Sequence, residues 1–240
     1  MAETDVLLKK LDRIRAETAG KMGRAITYAE AGRRVSRMAS ATGRELLYFM
    51  RDNYETGITE AEAMTIIPPA LRGNYRTASA LALSAQETVN KRAKIGLKPI
   101  EAEFDEDKAA NLARHVAETG PAPELVTLVE QNARAVVDDT LKKNATAHEN
   151  AGLQVRVIRT YDGVGLANGK VSCEWCMDRV GEWEHVADAQ AAGAFERHSG
   201  CGCEIVYQTV RLQWQKQGKD MNWRDIEPKD ALARRRTYGL

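Results

Sequence analysis

The distribution of cysteine and tryptophan constrains this chain most: all four cysteines (Cys173, Cys176, Cys201, Cys203) and all four tryptophans (Trp175, Trp183, Trp214, Trp223) lie beyond residue 150. The region before it is rich in Ala, Leu, Glu, Arg and Lys, the residues that lose least on entering a helix. Residues 1–150 therefore read as a helical docking or assembly region, and residues 151–240 as a small Cys/His-cluster domain with strands and a basic C-terminal helix. The expected class is mainly α with a small α+β C-terminal domain. It combines an N-terminal helical bundle or arm with a small antiparallel sheet stapled by the Cys/His cluster.

In the first region, Thr4 and Asp5 are positioned to cap a helix carrying Val6, Leu7, Leu11 and Ile14 at helical spacing. A longer helix is expected over residues 25–53, burying Ile26, Val35, Met38, Leu46 and Phe49. Thr59 and Glu62 form a capping-box pair ahead of a short helix over 61–67, which Pro68 and Pro69 should terminate. Helical pattern resumes over 70–95 and again over 105–118 and 123–150. The stripe Leu125, Leu128, Val129, Ala133, Val136, Val137 and Leu141 needs a packing partner. Few aromatics precede residue 150 to close a core, so this stripe is expected to leave an apolar face exposed on an arm or open bundle. His115 and His148 read as surface residues.

Beyond Gly152 the period changes to two. Leu153, Val155 and Val157 alternate with polar residues, Tyr161, Asp162 and Gly163 form a turn, and residues 203–210 have the same β-branched character, so the two segments should pair as strands. A helix is expected over about 186–195 and another over 221–236, ending in Arg234, Arg235 and Arg236. The glycine-rich run at 163–169 reads as a loop, because no helix clearly begins after it.

The chemistry lies in Cys173-Glu-Trp-Cys176 followed by His198-Ser-Gly-Cys201-Gly-Cys203. A CxxC knuckle presents two thiolates to one ion, and a second ligand pair about twenty residues on can complete a tetrahedral zinc site. Five candidates compete for four positions: Cys173, Cys176 and Cys201 with either His198 or Cys203, and His185 as a spare. The same cysteines could instead remain reduced core residues, form disulfides outside a reducing compartment, or work in redox chemistry. A thioredoxin-type CxxC should open a helix within an α/β unit, which the preceding helical region does not supply.

Other chemistries find little support. No HxE precedes the CxxC as in zinc deaminases, and HExxH, P-loop and GxGxxG motifs are absent. No acid/base pair or partnered nucleophile can be named, so no catalytic residue is assigned and a non-enzymatic role is expected. With 35 basic against 34 acidic side chains in 240 residues, any nucleic-acid contact must be local. No run is apolar enough to span a membrane, and the acidic, polar start (Met1, Ala2, Glu3, Thr4, Asp5) is unlike a signal peptide. Synthesis in the cytoplasm is expected.

Residues 171–181 (Val-Ser-Cys-Glu-Trp-Cys-Met-Asp-Arg-Val-Gly) and 195–207 (Phe-Glu-Arg-His-Ser-Gly-Cys-Gly-Cys-Glu-Ile-Val-Tyr) resemble the C-terminal signature of phage minor head, or head-morphogenesis, proteins related to the F protein of phage Mu. There a CxxC, a small-residue turn, an HxxCxC element and a strand follow in this order. The resemblance is strong over about 153–207 and looser at 69–75 and 95–99. Family members often carry Asn-Cys-Arg-Cys where this chain has Gly200-Cys201-Gly202-Cys203, so any contact made by that arginine is missing here.

The resemblance implies a few-copy virion protein at the portal vertex or in the head interior, acting in procapsid assembly. It implies as partners the portal protein and the major capsid or scaffolding protein, with packaged double-stranded DNA, bound without sequence specificity, as a further contact of the basic C-terminal helix. The alternative is a nuclease or transferase effector carried in the virion, as some relatives bear an added domain after this module. About 37 residues follow Cys203, few for an independent catalytic domain.

Overall fold

The computed structural model describes residues 2–19, 25–161, 173–198 and 201–210. The readings placed on the 163–169 loop, the 221–236 helix and the basic run Arg234 to Arg236 lie outside them. Five long helices precede a three-stranded sheet: α1 (Ala2–Ala19), α2 (Tyr28–Asn53), α3 (Glu60–Ala93), α4 (Glu106–Thr119) and α5 (Glu124–Asn150). Then follow β1 (Gln154–Thr160), the one-turn α6 (Glu174–Met177), β2 (Gly181–Trp183), α7 (Val186–Ala191) and β3 (Glu204–Val210). The chain is mainly helical with a small antiparallel sheet beside a Cys/His cluster, as the sequence pattern predicts. Among the described residues, no helix is long and apolar enough to cross a membrane.

Capping explains several boundaries. Thr27 caps α2 by accepting from the Glu30 amide at 3.2 Å. The Thr59 hydroxyl and the Glu62 carboxylate cap each other's backbone amides at the start of α3, and Asp105 accepts from the Lys108 amide at 2.9 Å to open α4. Thr4 and Asp5 lie inside the first turn of α1, not at its cap, and α2 begins at Tyr28.

The expected break at Pro68 and Pro69 does not occur: α3 runs through both for 34 residues. Pro69 is exposed and Pro68 partly so, as are Met64 and Thr65. The two prolines cannot donate to the carbonyls of Met64 and Thr65, which are themselves residues of this exposed side of the helix. The opposite face, carrying Ile66, Ile67, Ala70 and Leu71, is fully buried and holds the helix together.

The α5 stripe is not left open. Leu125, Val129, Ala133, Val136, Val137 and Leu141 are all buried and Leu128 is half-buried, and α5 packs chiefly against α2 and α3. Contact with α2 is close enough that a Cβ on Gly43 would stand 2.9 Å from the Val126 Cα. Small residues make up for the scarcity of aromatics: Ala31, Ala39, Ala63, Ala70, Ala78, Ala82, Ala85 and Ala133 are fully buried, so the helices approach closely and close the core with little bulk. The expected exposed face on α5 is thereby corrected.

Strand order is β2-β1-β3, all antiparallel. Val155 and Val157 on β1, with Ile205 and Tyr207 on β3, face the helices and belong to the same hydrophobic core as Leu46, Leu81 and Leu141. Residue 150 thus marks the change from helix to strand, and the core runs continuously across it. The expected surface position of His148 is also corrected, since it is only 1% exposed. It lies on the buried stripe one turn beyond Asn144 and contacts the Tyr207 hydroxyl at 3.2 Å. Tyr28 and Tyr207 both donate to the side-chain amide oxygen (Oε1) of Gln86, at 2.6 and 2.9 Å, so this polar joint ties α2, α3 and α5 to β3. Helix α7 stops at Ala191, short of the expected 195, because Gly193 takes a φ of 69° that ends the helical path.

Candidate metal centre

Sheet register brings the two halves of the cysteine motif together. Arg159 and Thr160, at the end of β1, lie opposite Gly181 and Glu204 respectively. Gly181 begins the strand that follows the CxxC, and Glu204 directly follows Cys203, so both segments are delivered to one end of the sheet. Cys173 caps α6, whose single turn leaves Cys173 and Cys176 side by side, with the Met177 amide bonding the Cys173 carbonyl at 2.9 Å. On the other segment the Cys201 amide donates to the His198 carbonyl at 3.2 Å, folding the HxxC into a turn.

All five sequence-predicted candidates gather here. His198 Nε2 lies 2.9 Å from Cys176 Sγ and 3.3 Å from Cys173 Sγ, and Cys176 Sγ lies 3.7 Å from Cys201 Sγ. Cys173, Cys176 and His198 form one group, and Cys176, Cys201 and Cys203 another, with donor atoms inside each within 4.8 Å of one another. These groups are close enough to hold a metal ion. All four cysteines are free thiols, three of them buried. His185 does not join them: its Nδ1 pairs with Glu149 at 2.8 Å, on an exposed side chain.

Three arginines surround the Cys201–Cys203 turn. Arg134 on α5 donates to the Cys201 carbonyl at 2.6 Å and the Cys203 carbonyl at 2.9 Å. Arg197 donates to the Cys203 carbonyl at 2.7 Å and approaches Cys201 Sγ at 3.8 Å, while both oxygens of Asp138 on α5 hold its guanidinium. Arg159 is fully buried. It donates to the carbonyls of Gly193, Ala194 and Glu196 at 3.1, 3.0 and 2.6 Å, and to Cys201 Sγ at 3.7 Å. Trp175 stands edge-on to His198, ring centroids 5.1 Å apart, with Arg179 stacked 3.9 Å over its face.

This environment separates the thiols electrostatically. Donation from the Cys203 thiol, against the opposing effect of burial and with help from Arg197 and Arg159, brings Cys201 down to about 4. Burial pushes Cys176 up to about 11. Cys203 is raised, first by giving its proton to the bond with Cys201 and then by burial. Burial opposes the charge on Arg197, but Asp138 more than offsets it and the pKa is raised.

Arg134, Asp138, Arg159 and Arg197 were not singled out from the sequence as site residues. Two carried a signal. Strand alternation puts Arg159 on the same inward face as Val155 and Val157, and helical spacing puts Asp138 within the buried stripe of α5. Comparison with protein families, with curated proteins and with solved structures finds no match to the chain.

Proposed function

We propose that this chain is a minor head protein of a tailed phage or prophage, built into the virion at the portal vertex or head interior, whose small sheet is stapled by structural zinc. The observation that carries the reading is the Cys/His cluster itself. The CxxC, the HxxCxC and the strand after it, whose order underlies the resemblance to head-morphogenesis proteins, make up one folded unit at the end of a sheet joined to a helical bundle.

The donor set suits zinc. A tetrahedral ion with Zn–S near ~2.3 Å and Zn–N near ~2.0 Å holds its sulfurs about 3.8 Å apart and sulfur and nitrogen about 3.5 Å apart. The 3.7 Å between Cys176 and Cys201 and the 3.3 Å between Cys173 and His198 approach those values; the 2.9 Å contact must open, and Cys201, which groups with Cys176 but not with Cys173 or His198, must close on those two. Bound zinc would cross-link the CxxC turn to the start of β3 and add its binding energy to folding. The protein's role on this reading is mechanical, and no residue is assigned to catalysis.

An assembly role also needs a docking surface. Val6 and Tyr48, 67% and 57% exposed, line a groove of about 510 Å³ between α1 and α2 with Leu7 and Phe49 on its floor. Glu3, Asp52 and the ion-paired Lys10 and Glu45 rim it. An apolar strip with a charged rim suits a partner helix from the portal or the major capsid or scaffolding protein. Contact with packaged DNA is proposed for the basic segment beyond Val210. Quantitative mass spectrometry of purified virions and of portal-containing procapsids, with metal analysis of the reduced protein, tests the reading. A few copies per particle and about one zinc per chain are expected. Absence from both particle types overturns the virion assignment, and a metal-free protein of full stability under chelator overturns the zinc staple.

A further inference from the structure

Arg159 is fully buried, and among the described residues no carboxylate pairs with it. Its donors reach three backbone carbonyls and one sulfur, and its buried Nε has no hydrogen-bond partner among the described residues. A guanidinium cannot shed its proton at physiological pH, so a charge in this position needs an anion nearby. The sulfur it touches belongs to Cys201, and the second guanidinium that approaches a cysteine sulfur, Arg197, approaches the same one. Among the described residues, the guanidinium hydrogen bonds to Cys203 are those of Arg134 and Arg197 to its carbonyl oxygen.

We propose that Cys173, Cys176, His198 and Cys201 hold the ion, that the buried Cys203 stays outside the coordination, and that Arg159 is the built-in counter-charge of the metal–thiolate centre. This deepens the zinc reading and rests on it. Charge decides between the two candidate ligand sets. Zinc with three thiolates and a neutral imidazole carries a single negative charge, which Arg159 balances, while Arg197 is already balanced by Asp138. Four thiolates would double the negative charge and leave half of it to Arg134, which is only partly buried and whose hydrogen bonds go to the Cys201 and Cys203 carbonyls, whereas Arg159 also donates to Cys201 Sγ. Geometry agrees: the measured donor contacts run from Cys173 to His198, from His198 to Cys176 and from Cys176 to Cys201, a continuous chain of the four proposed ligands. Cys201 and Cys203 both group with Cys176, and of the two it is Cys201 whose sulfur makes the direct 3.7 Å contact with Cys176 Sγ.

Cobalt(II) titration of the reduced, metal-free full-length chain reads the ligand set from the intensity of thiolate-to-cobalt absorption, and competition with zinc reads affinity. Cys203→Ser is expected to keep the wild-type spectrum and bind within about 3-fold of wild type, because it removes no ligand. His198→Gln and Cys201→Ser should each weaken binding, Cys201→Ser with loss of one thiolate's absorption. Arg159→Gln should weaken zinc binding by about 10–100-fold without moving the bands, as expected for a partner that acts on a ligand from outside the coordination. Arg159→Lys should recover much of that loss.

A Cys203→Ser spectrum short of one thiolate, or a His198→Gln protein identical to wild type, overturns the ligand assignment. An Arg159→Gln protein that binds as tightly as wild type overturns the counter-charge. Should Arg159→Gln not fold, Arg159→Lys is read alone: binding within about 10-fold of wild type supports the counter-charge, and complete loss overturns it. A wild-type chain that takes up neither cobalt nor zinc refutes the zinc reading itself, an outcome distinct from all of these.

Discussion

Replacing Asp138 with Asn tests whether α5 and the cysteine turn are one mechanical unit. The carboxylate binds the Arg197 guanidinium through both oxygens, one contact measuring 2.8 Å, and each side chain is only 10% exposed. Asn keeps the shape, removes the charge, and turns one of the two acceptors into an amide that faces a guanidinium donor. Breaking one partner of a buried pair costs about 3–5 kcal/mol, because the surviving charge is left in a poorly solvated position. With the partners a tenth exposed the lower end of that range is expected, and at ~2–4 °C per kcal/mol for a chain of this size the melting midpoint should fall by roughly 6–12 °C. The loss should also reach the metal centre, since the same guanidinium holds the Cys203 carbonyl and approaches Cys201 Sγ. Circular dichroism melts of wild type, Asp138→Asn and Asp139→Asn, with zinc and with chelator, provide the assay. Asp139 is the neighbouring control, half-exposed and paired with Lys143 at 3.6 Å, and its replacement should barely move the midpoint. If Asp138→Asn falls no further than Asp139→Asn, the pair does not join helix to turn and the reasoning fails.

Gly43→Ala should destabilise the bundle by about 1–3 kcal/mol in denaturant unfolding, since the new methyl meets the Val126 backbone at 2.9 Å and this outweighs the ~1 kcal/mol gained in helix propensity; a more stable variant would show that α5 shifts freely. Burial lowers the pKa of His148 below its ordinary value of 6.5, so the unfolded chain takes up a proton first as pH falls. The stability from its neutral, buried form is complete above about pH 6.5 and is lost below it toward the folded-state value. The urea midpoint of wild type should therefore drop between pH 7.5 and 5.5 more than that of His148→Gln, and parallel profiles would refute the assignment. Tyr48→Glu should leave the melt of the isolated protein unchanged while reducing its incorporation into portal-containing procapsids, and undiminished incorporation would exclude the α1–α2 groove as the docking surface.

Helix and strand content was readable because the relevant signals are local: an apolar stripe of period 3.6 followed by alternation of period two. The cysteine site was readable for a similar reason, since two short motifs with ligand-type spacing need only one folded turn each to present their sulfurs. The readings that failed involve partners far along the chain. Pro68 and Pro69 stop a helix when nothing else holds it, but here Ile66, Ile67, Ala70 and Leu71 are buried by other helices, and that tertiary packing outweighs the lost hydrogen bonds. His148 looked like a surface residue from its polarity. Extending the α5 stripe through Leu141 and Ala145 nevertheless carries it inward, to Tyr207 far along the chain. Arg159 and Asp138 repeat that lesson at the site: each is a charge at a position whose periodicity demands burial. Such a conflict between residue type and period calls for a specific long-range partner. For Asp138 that partner is Arg197, and for Arg159 it is the sulfur of Cys201. The two apparent misfits in the pattern are therefore the residues that connect the bundle and the sheet to the cysteine turn.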